Sequence, residues 1–167
     1  LDLGTGSGCI AITLAEEFRN SSVKAVDKSL DALKVAAQNA KRIGVSNITF
    51  FEGSWYEPFM TAQADENNKF DIIVSNPPYI DPNDPHLAGL TDEPISALIA
   101  DNKGMADLCH IVKTAPQFLQ PHGLLAIEHG YDQGEQVRGV FLSNGFDEVI
   151  TVKDYGNNER VTLGVLN

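Results

Sequence analysis

No apolar run in this chain outlasts a strand, so no segment is long enough to cross a bilayer as a helix. No charged-then-apolar leader of a signal or transit peptide is visible. Lysine and arginine are scarce, 12 against 23 acidic residues. The net charge of −11 argues against a basic face that grips a phosphate backbone. Cysteine is rarer still. Cys9 and Cys109 stand far apart in apolar contexts, which predicts two buried free thiols in a reducing cytoplasm. The four histidines lack metal-ligand spacing, so no metal is assigned; His86, His110, His122 and His129 read as exposed loop or strand-end residues.

Proline is present in the wrong place for a simple loop. Five of the eight prolines lie between positions 77 and 94, directly after the apolar stretch Ile72-Ile73-Val74. One proline or glycine suffices to end a strand, so this rigidity points to a use. The whole span from Asn76 to Lys103 is irregular, and loops of that length inside a compact domain are usually functional.

The length of 167 residues predicts one domain with a single well-buried core. Leu1-Asp2-Leu3-Gly4 reads as the end of a strand whose beginning is missing, so a truncated first strand and a lost N-terminal portion are expected. Gly8 to Phe18 reads as a helix packed on a sheet through Ile10, Ile12, Leu14, Ala15 and Phe18. Val23 to Asp27 is a strand, and Ser29 caps a helix running to Ile43 with Leu30, Leu33, Ala36, Ala37 and Ala40 on one side. Gly44 stops it. Asn47–Glu52 and Phe70–Ser75 are strands three and four. A helix over Gly104–Phe118 leads through Pro121 and Gly123 into strand five, Leu124–Ile127. A helix over Gln133–Asn144 precedes a closing hairpin, Glu148–Asp154 and Arg160–Leu166. Apolar strands alternating with helices predict a mostly parallel, doubly wound α/β sheet with an antiparallel last strand. Ligands in such sheets bind at the carboxyl ends of the strands.

The turn Gly4-Thr5-Gly6-Ser7-Gly8 follows a strand and opens a helix, where backbone N–H groups are free and glycine permits close approach. Dinucleotide enzymes space these glycines G-x-G-x-x-G. Here the third comes one residue early, which favours a ligand carrying a carboxylate and no pyrophosphate. Asp27, ending strand two, can accept from both hydroxyls of a ribose; a solvated cap is the alternative. Ser54-Trp55 follows strand three, and the only tryptophan stands either beside an adenine or in the core. At Asn76-Pro77-Pro78-Tyr79 a side-chain carbonyl and a backbone carbonyl offer two fixed acceptors, suited to a planar NH₂ group on which Tyr79 can stack. The prolines set φ in advance, so little entropy is lost on binding.

The stretches LDLGTGSG, AVD, VSNPPYI, DPHL, GMADL, EHG and DYGNNERVTLG, in this order, resemble the HemK/PrmC family. The resemblance covers nearly the whole chain. It implies a Rossmann-like class I S-adenosylmethionine-dependent methyltransferase whose target is the Gly-Gly-Gln glutamine of class I peptide-chain release factors. It also implies S-adenosylhomocysteine as product, a cytoplasmic monomer that contacts neither nucleic acid nor membrane, and an N-terminal helical domain outside residues 1–167. By the same resemblance Gly4, Thr5, Gly6, Ser7 and Gly8 hold the methionine side of the donor. Asp27 holds its ribose, and Ser54 and Trp55 flank its adenine. Asn76, Pro77, Pro78 and Tyr79 clamp the glutamine, with Asn76, Pro77 and Tyr79 catalytic and Asn76 also close to the donor. Two positions depart from the family: Ser54 where Asp is usual, and Asp92 where an aromatic is common. Two rivals remain: a methyltransferase for the amino group of adenine in DNA or RNA, whose NH₂ is equally planar, and a non-catalytic cofactor-binding module. Glu128, ending strand five, is a candidate supporting residue, and Asp154–Arg160 is expected to shape the closing hairpin.

Overall fold

The computed structural model describes residues 1–60, 69–79 and 104–167. Strand β1 (Asp2–Leu3) enters the glycine turn and helix α1 (Cys9–Glu17). Strand β2 (Val23–Asp27), helix α2 (Leu30–Ile43) and strand β3 (Ile48–Glu52) follow. A 3₁₀ turn (Glu57–Phe59) and strand β4 (Phe70–Ser75) come next. Then come helix α3 (Ala106–Thr114), strand β5 (Leu119–Glu128) and helix α4 (Gly134–Leu142). Strands β6 (Phe146–Lys153) and β7 (Glu159–Leu166) close the chain.

The described residues form one seven-stranded sheet in the order β3-β2-β1-β4-β5-β7-β6. All pairings are parallel except those of β7, which lies antiparallel between β5 and β6. The predicted sheet and its antiparallel last strand are therefore observed. Chain reversal at β1 sends β2 and β3 to one side and β4 to the other, which opens a crevice over the carboxyl end of β1.

Helix α2 shows why the sequence folds locally as it does. The Ser29 hydroxyl accepts from Ala32 N at 3.2 Å, a cap worth about 1 kcal/mol. Gly44 ends the helix at φ 87, and its N–H donates to Ala40 O at 2.9 Å. Leu33, Ala36 and Ala40 are buried, whereas Leu30 and Ala37, expected on the same face, are exposed. They fall at the edge of a stripe narrower than the apolar spacing suggested.

Helix α1 departs in the same way, burying Ala11, Ile12 and Ala15 while Ile10 and Phe18 face solvent. Where α1 lies against the sheet, Ala11, Ala15, Val23 and Ala25 make one buried cluster, with Leu14, Ile48 and Phe50 packed at its edge. The larger cluster includes Leu3, Tyr56, Ile73, Ile111, Leu125, Ile127, Phe141 and Phe146. Cys9 is exposed and Cys109 half-buried, so the expected pair of buried thiols is corrected, although both are free. An apolar neighbourhood in sequence does not fix which side of a helix a residue occupies.

Strand β5 begins five residues before the predicted Leu124. Phe70 pairs with Leu119, the register then shifts, and Ile72 pairs with Leu124. His122, at φ 62, lies in this irregularity with Pro121 and Gly123. Proline and glycine here mark a bulge inside the strand and not its boundary.

Candidate active site

The sheet register brings the predicted residues to one edge. Phe51 pairs with Val26, Val26 with Leu3, Leu3 with Ser75, and Ser75 with Ile127. The next residue along each strand therefore makes a row: Glu52, Asp27, Gly4, Asn76, Glu128. Neighbouring strands lie about 4.8 Å apart, so the glycine turn is the immediate neighbour of the acid of β2 on one side and of the Asn76 turn on the other.

The glycine turn is anchored from beneath and from the side. Gly4 N and Thr5 N both donate to Val26 O at 2.9 Å, and Gly8 N donates to Thr5 O at 2.9 Å. Gly4, Gly6 and Gly8 have φ of 73, 56 and 85, the left-handed region that side chains avoid. Asn39 of α2 donates from Nδ2 to Ser7 O at 3.0 Å. Asp27 takes Gly6 N–H on Oδ2 and Ser29 N–H on Oδ1, each at 2.8 Å. Two backbone donors thus orient the carboxylate, and each oxygen keeps a second lone pair for a ligand hydroxyl.

Beneath the turn lies a buried acid to which the sequence reading assigns no role. Asp2 is 1% exposed; its Oδ2 accepts from Thr5 Oγ1 at 2.6 Å and from Ala11 N at 3.2 Å. Among the described residues its Oδ1 has no hydrogen-bond partner. Burial pushes the Asp2 carboxyl up to about 6, against the lowering effect of its hydrogen bonds. The signal was present in the sequence: a carboxylate flanked by leucines inside a strand is rarely buried without a reason.

Trp55 is half-buried, at φ 51, and lies against the glycine turn: a Cβ added to Gly4 would stand 3.1 Å from Trp55 Cζ3. It also packs on the larger core cluster, so its two sequence readings describe two sides of one ring. Ser54 N donates to Glu57 Oε2 at 2.8 Å, so a carboxylate already stands beside the position where the family has Asp.

At the end of β4 the Ser75 hydroxyl donates to Leu3 O at 2.7 Å, tying this strand to β1 just before the turn. Asn76 is exposed, Pro77 buried, and Pro78 and Tyr79 half-buried. The Tyr79 hydroxyl donates to Glu128 Oε1 at 3.1 Å. Burial and the Glu128 charge raise the Tyr79 pKa, so the phenol stays protonated at neutral pH. Glu128, suspected from its strand-end position, is thereby joined to the Asn76–Tyr79 turn.

The closing hairpin is organised around Asp154. Asp154 Oδ1 accepts from Gly156 N and Asn158 N at 2.8 and 3.0 Å, while Oδ2 pairs with Arg160 at 3.2 Å. Arg160 also donates to His129 O at 3.2 Å, which fastens the hairpin to the end of β5. His129 is fully buried, correcting its expected exposure, whereas His110 and His122 are exposed as expected. His86, Asp92 and the later prolines of the irregular stretch lie outside the described residues.

A parallel sheet with an antiparallel seventh strand, a glycine turn after its first strand and an acid after its second define a class I methyltransferase fold. The chain belongs to the methyltransferase domain family, whose model matches residues 1–154. It is similar to the release factor glutamine methyltransferase of Salmonella typhimurium, 49% identical over 98% of this chain and 58% of that protein. The protein of the same name from Escherichia coli is 45% identical over the same shares. The chain thus spans a little under three fifths of the length of these curated relatives. Among solved structures it resembles a ribosomal protein L11 methylase from Lactobacillus delbrueckii, with a TM-score of 0.66 and 22% identity, covering 98% of this chain and 67% of that one. It also resembles the 16S rRNA N2 G1207 methyltransferase of Thermus thermophilus, solved with AdoMet and guanosine. That match has a TM-score of 0.66 and 18% identity over 99% of this chain and 36% of that one.

Proposed function

We propose that residues 1–167 are the catalytic domain of an S-adenosylmethionine-dependent enzyme that methylates the side-chain amide of the Gly-Gly-Gln glutamine in class I release factors. The observation that carries this reading is the row Asp27, Gly4, Asn76 on the sheet edge, in which the glycine turn stands between the acid of β2 and the Asn76 turn, supporting a donor site beside an amide clamp. The names of the curated relatives supply the substrate.

The residues present fit the donor. The left-handed glycines leave backbone close to a bound ligand, Asp27 retains acceptors for ribose hydroxyls, and Trp55 offers a ring to adenine. Asp2 Oδ1, buried without a partner, suits a ligand that carries an ammonium group. When bound, the donor supplies an electrophilic methyl group on a positively charged sulfur, reactive enough for an amide nitrogen whose lone pair is delocalised.

The protein's share is alignment and charge placement. The Asn76 side-chain carbonyl and the Pro77 backbone carbonyl accept the two N–H bonds of the substrate amide and hold its nitrogen in place. As positive charge grows on that nitrogen, these fixed dipoles stabilise it without reorganising. Pro77 and Pro78 keep the carbonyls in position before binding, and Tyr79 covers the flat face of the amide while Glu128 holds its hydroxyl. Orientation of this kind is worth up to roughly 7–11 kcal/mol in favourable cases. The methylated amide then loses its proton readily, so no strong base is required.

The test offers donor labelled at its methyl group to the full-length enzyme with a release factor and with its Gln→Ala variant. Label on the first protein alone supports the reading. Label on both moves the target to another atom, and label on nucleic acid instead selects an adenine amino group.

A further inference from the structure

The turn that holds the substrate amide is itself held by a chain of hydrogen bonds that starts on the far strands. Arg138 of α4 pairs with Glu159 at 3.0 Å and donates from Nη1 to Thr151 Oγ1 at 2.8 Å. Thr151 and Thr162 hydroxyls stand 2.8 Å apart, and Thr162 Oγ1 is 2.9 Å from His129 Nε2. His129 Nδ1 lies 2.8 Å from Gly130 O, Gly130 N donates to Gln133 Oε1 at 2.8 Å, and Gln133 Nε2 donates to Tyr79 O at 3.0 Å. The Tyr79 hydroxyl then donates to Glu128.

With the His129 ring neutral, only one proton order satisfies every member. A guanidinium cannot accept, so Thr151 accepts from Arg138; its own proton goes to Thr162, because the Thr162 proton is taken by the bare Nε2 of the neutral ring. A carbonyl cannot donate, so Nδ1 carries the proton that Gly130 O receives. The same carbonyl takes Gln133 N at 3.0 Å, so one oxygen fixes both the ring and the residue that reaches Tyr79. Burial lowers the His129 pKa, in keeping with a neutral ring. Thr162, His129 and Gln133 are all more than nine-tenths buried. Gly104 closes the remaining side, at φ 77, where any Cβ would collide with Tyr79 O and crowd the Gln133 amide.

We propose that this ordered chain presets the Asn76–Tyr79 turn for catalysis, with Gln133 as its terminal positioning residue. The inference rests on the function proposed above. Gln133 touches no reacting atom. It fixes the Tyr79 peptide, two residues beyond the Pro77 carbonyl, and so limits how far that acceptor can drift. The chain resists such drift because moving one member unpairs its neighbours, and at Thr162, His129 and Gln133 that happens in a low-dielectric interior.

The test compares full-length wild type with Gln133→Glu, which keeps an acceptor for Gly130 N–H and turns an oxygen toward Tyr79 O. Misplacement by an ångström can cost up to about 100-fold in rate, so kcat for release-factor methylation should fall roughly 10–100-fold. The donor's KM should stay within about twofold of wild type, since the donor-binding turn is untouched. A merely structural residue would move the unfolding midpoint and the donor's KM together. Should the Glu variant fail to fold, Gln133→Met, uncharged and of similar volume, carries the comparison. Wild-type kcat in a folded variant overturns the inference while leaving the function intact. Wild type that leaves glutamine unmethylated overturns the function and this inference with it. Nitrogen-15 NMR of wild type supplies a check free of variants: His129 protonated on Nδ1 alone is expected, and a proton on Nε2 overturns the chain.

Discussion

Replacing Asp2 by Asn should erase a pH dependence of stability that the buried carboxylate imposes. The native carboxyl sits near 6 against an ordinary 3.8 in the unfolded chain, because burial disfavours the charged form. That gap corresponds to about 3 kcal/mol. The sign follows from which state holds the proton. Above about pH 6 both states are ionised, and the folded state bears the full penalty. As pH falls from about 6 to 3.8 the folded state takes up the proton first, so the penalty fades and stability rises. By about pH 4.5 some 2 kcal/mol should have been recovered. In Asp2→Asn one oxygen still serves Thr5 and Ala11, but the NH₂ faces the place where Oδ1 has no partner. That costs about 1–3 kcal/mol and offsets most of the gain from removing the charge near neutrality. The two proteins should therefore be close in stability near pH 7, with wild type drawing ahead in acid. Urea unfolding followed by circular dichroism across this range measures the difference, in which the other acids largely cancel. A difference that stays flat with pH, or a variant that gains on wild type in acid, would refute the argument.

Gly8→Ala should destabilise the domain by about 2–5 kcal/mol, from a left-handed φ and from crowding in a tight contact. Its Cβ would stand 2.8 Å from Ile12 Cδ1 and 3.0 Å from Ala36 Cβ, so thermal unfolding shows the loss directly. Asn76→Ala should abolish methyl transfer with donor affinity near normal, as read by calorimetry beside a turnover assay; retained activity would count against the amide clamp. Ser54→Asp should tighten donor binding by about 1 kcal/mol, since a charged acceptor outperforms a hydroxyl. Glu57 beside Ser54 N trims that gain by like-charge repulsion, and equal or weaker affinity by calorimetry would sink the idea.

Local chemistry writes itself into sequence, and long-range pairing does not. Ser29 and Gly44 announce the two ends of α2 because a cap and a left-handed stop are solved within a few residues. Pro121 and Gly123 misled because a bulge is recognised only against the partner strand β4. Ile10, Phe18 and Cys9 misled because helix α1 has an apolar composition, and only the sheet decides which side is buried.

The site divides along the same line. The glycine turn, Asp27, Trp55 and the Asn76–Tyr79 turn each carry their chemistry in adjacent residues, so sequence alone named them. That they stand in neighbouring strands was decided by the order β3-β2-β1-β4, which alternation of strands and helices does not fix. What sequence could not reveal is how they are held. Asp2 lost its solvent only when α1 closed over the turn. Gln133, His129, Thr151 and Thr162 are ordinary residues at unremarkable spacing, distributed over the end of β5, the start of α4, and strands β6 and β7. Their alignment into one donor-to-acceptor path depends on an antiparallel strand inserted beside β5, because that register alone sets Thr162 next to both His129 and Thr151. The reactive groups are a property of the chain, and their rigidity is a property of the fold.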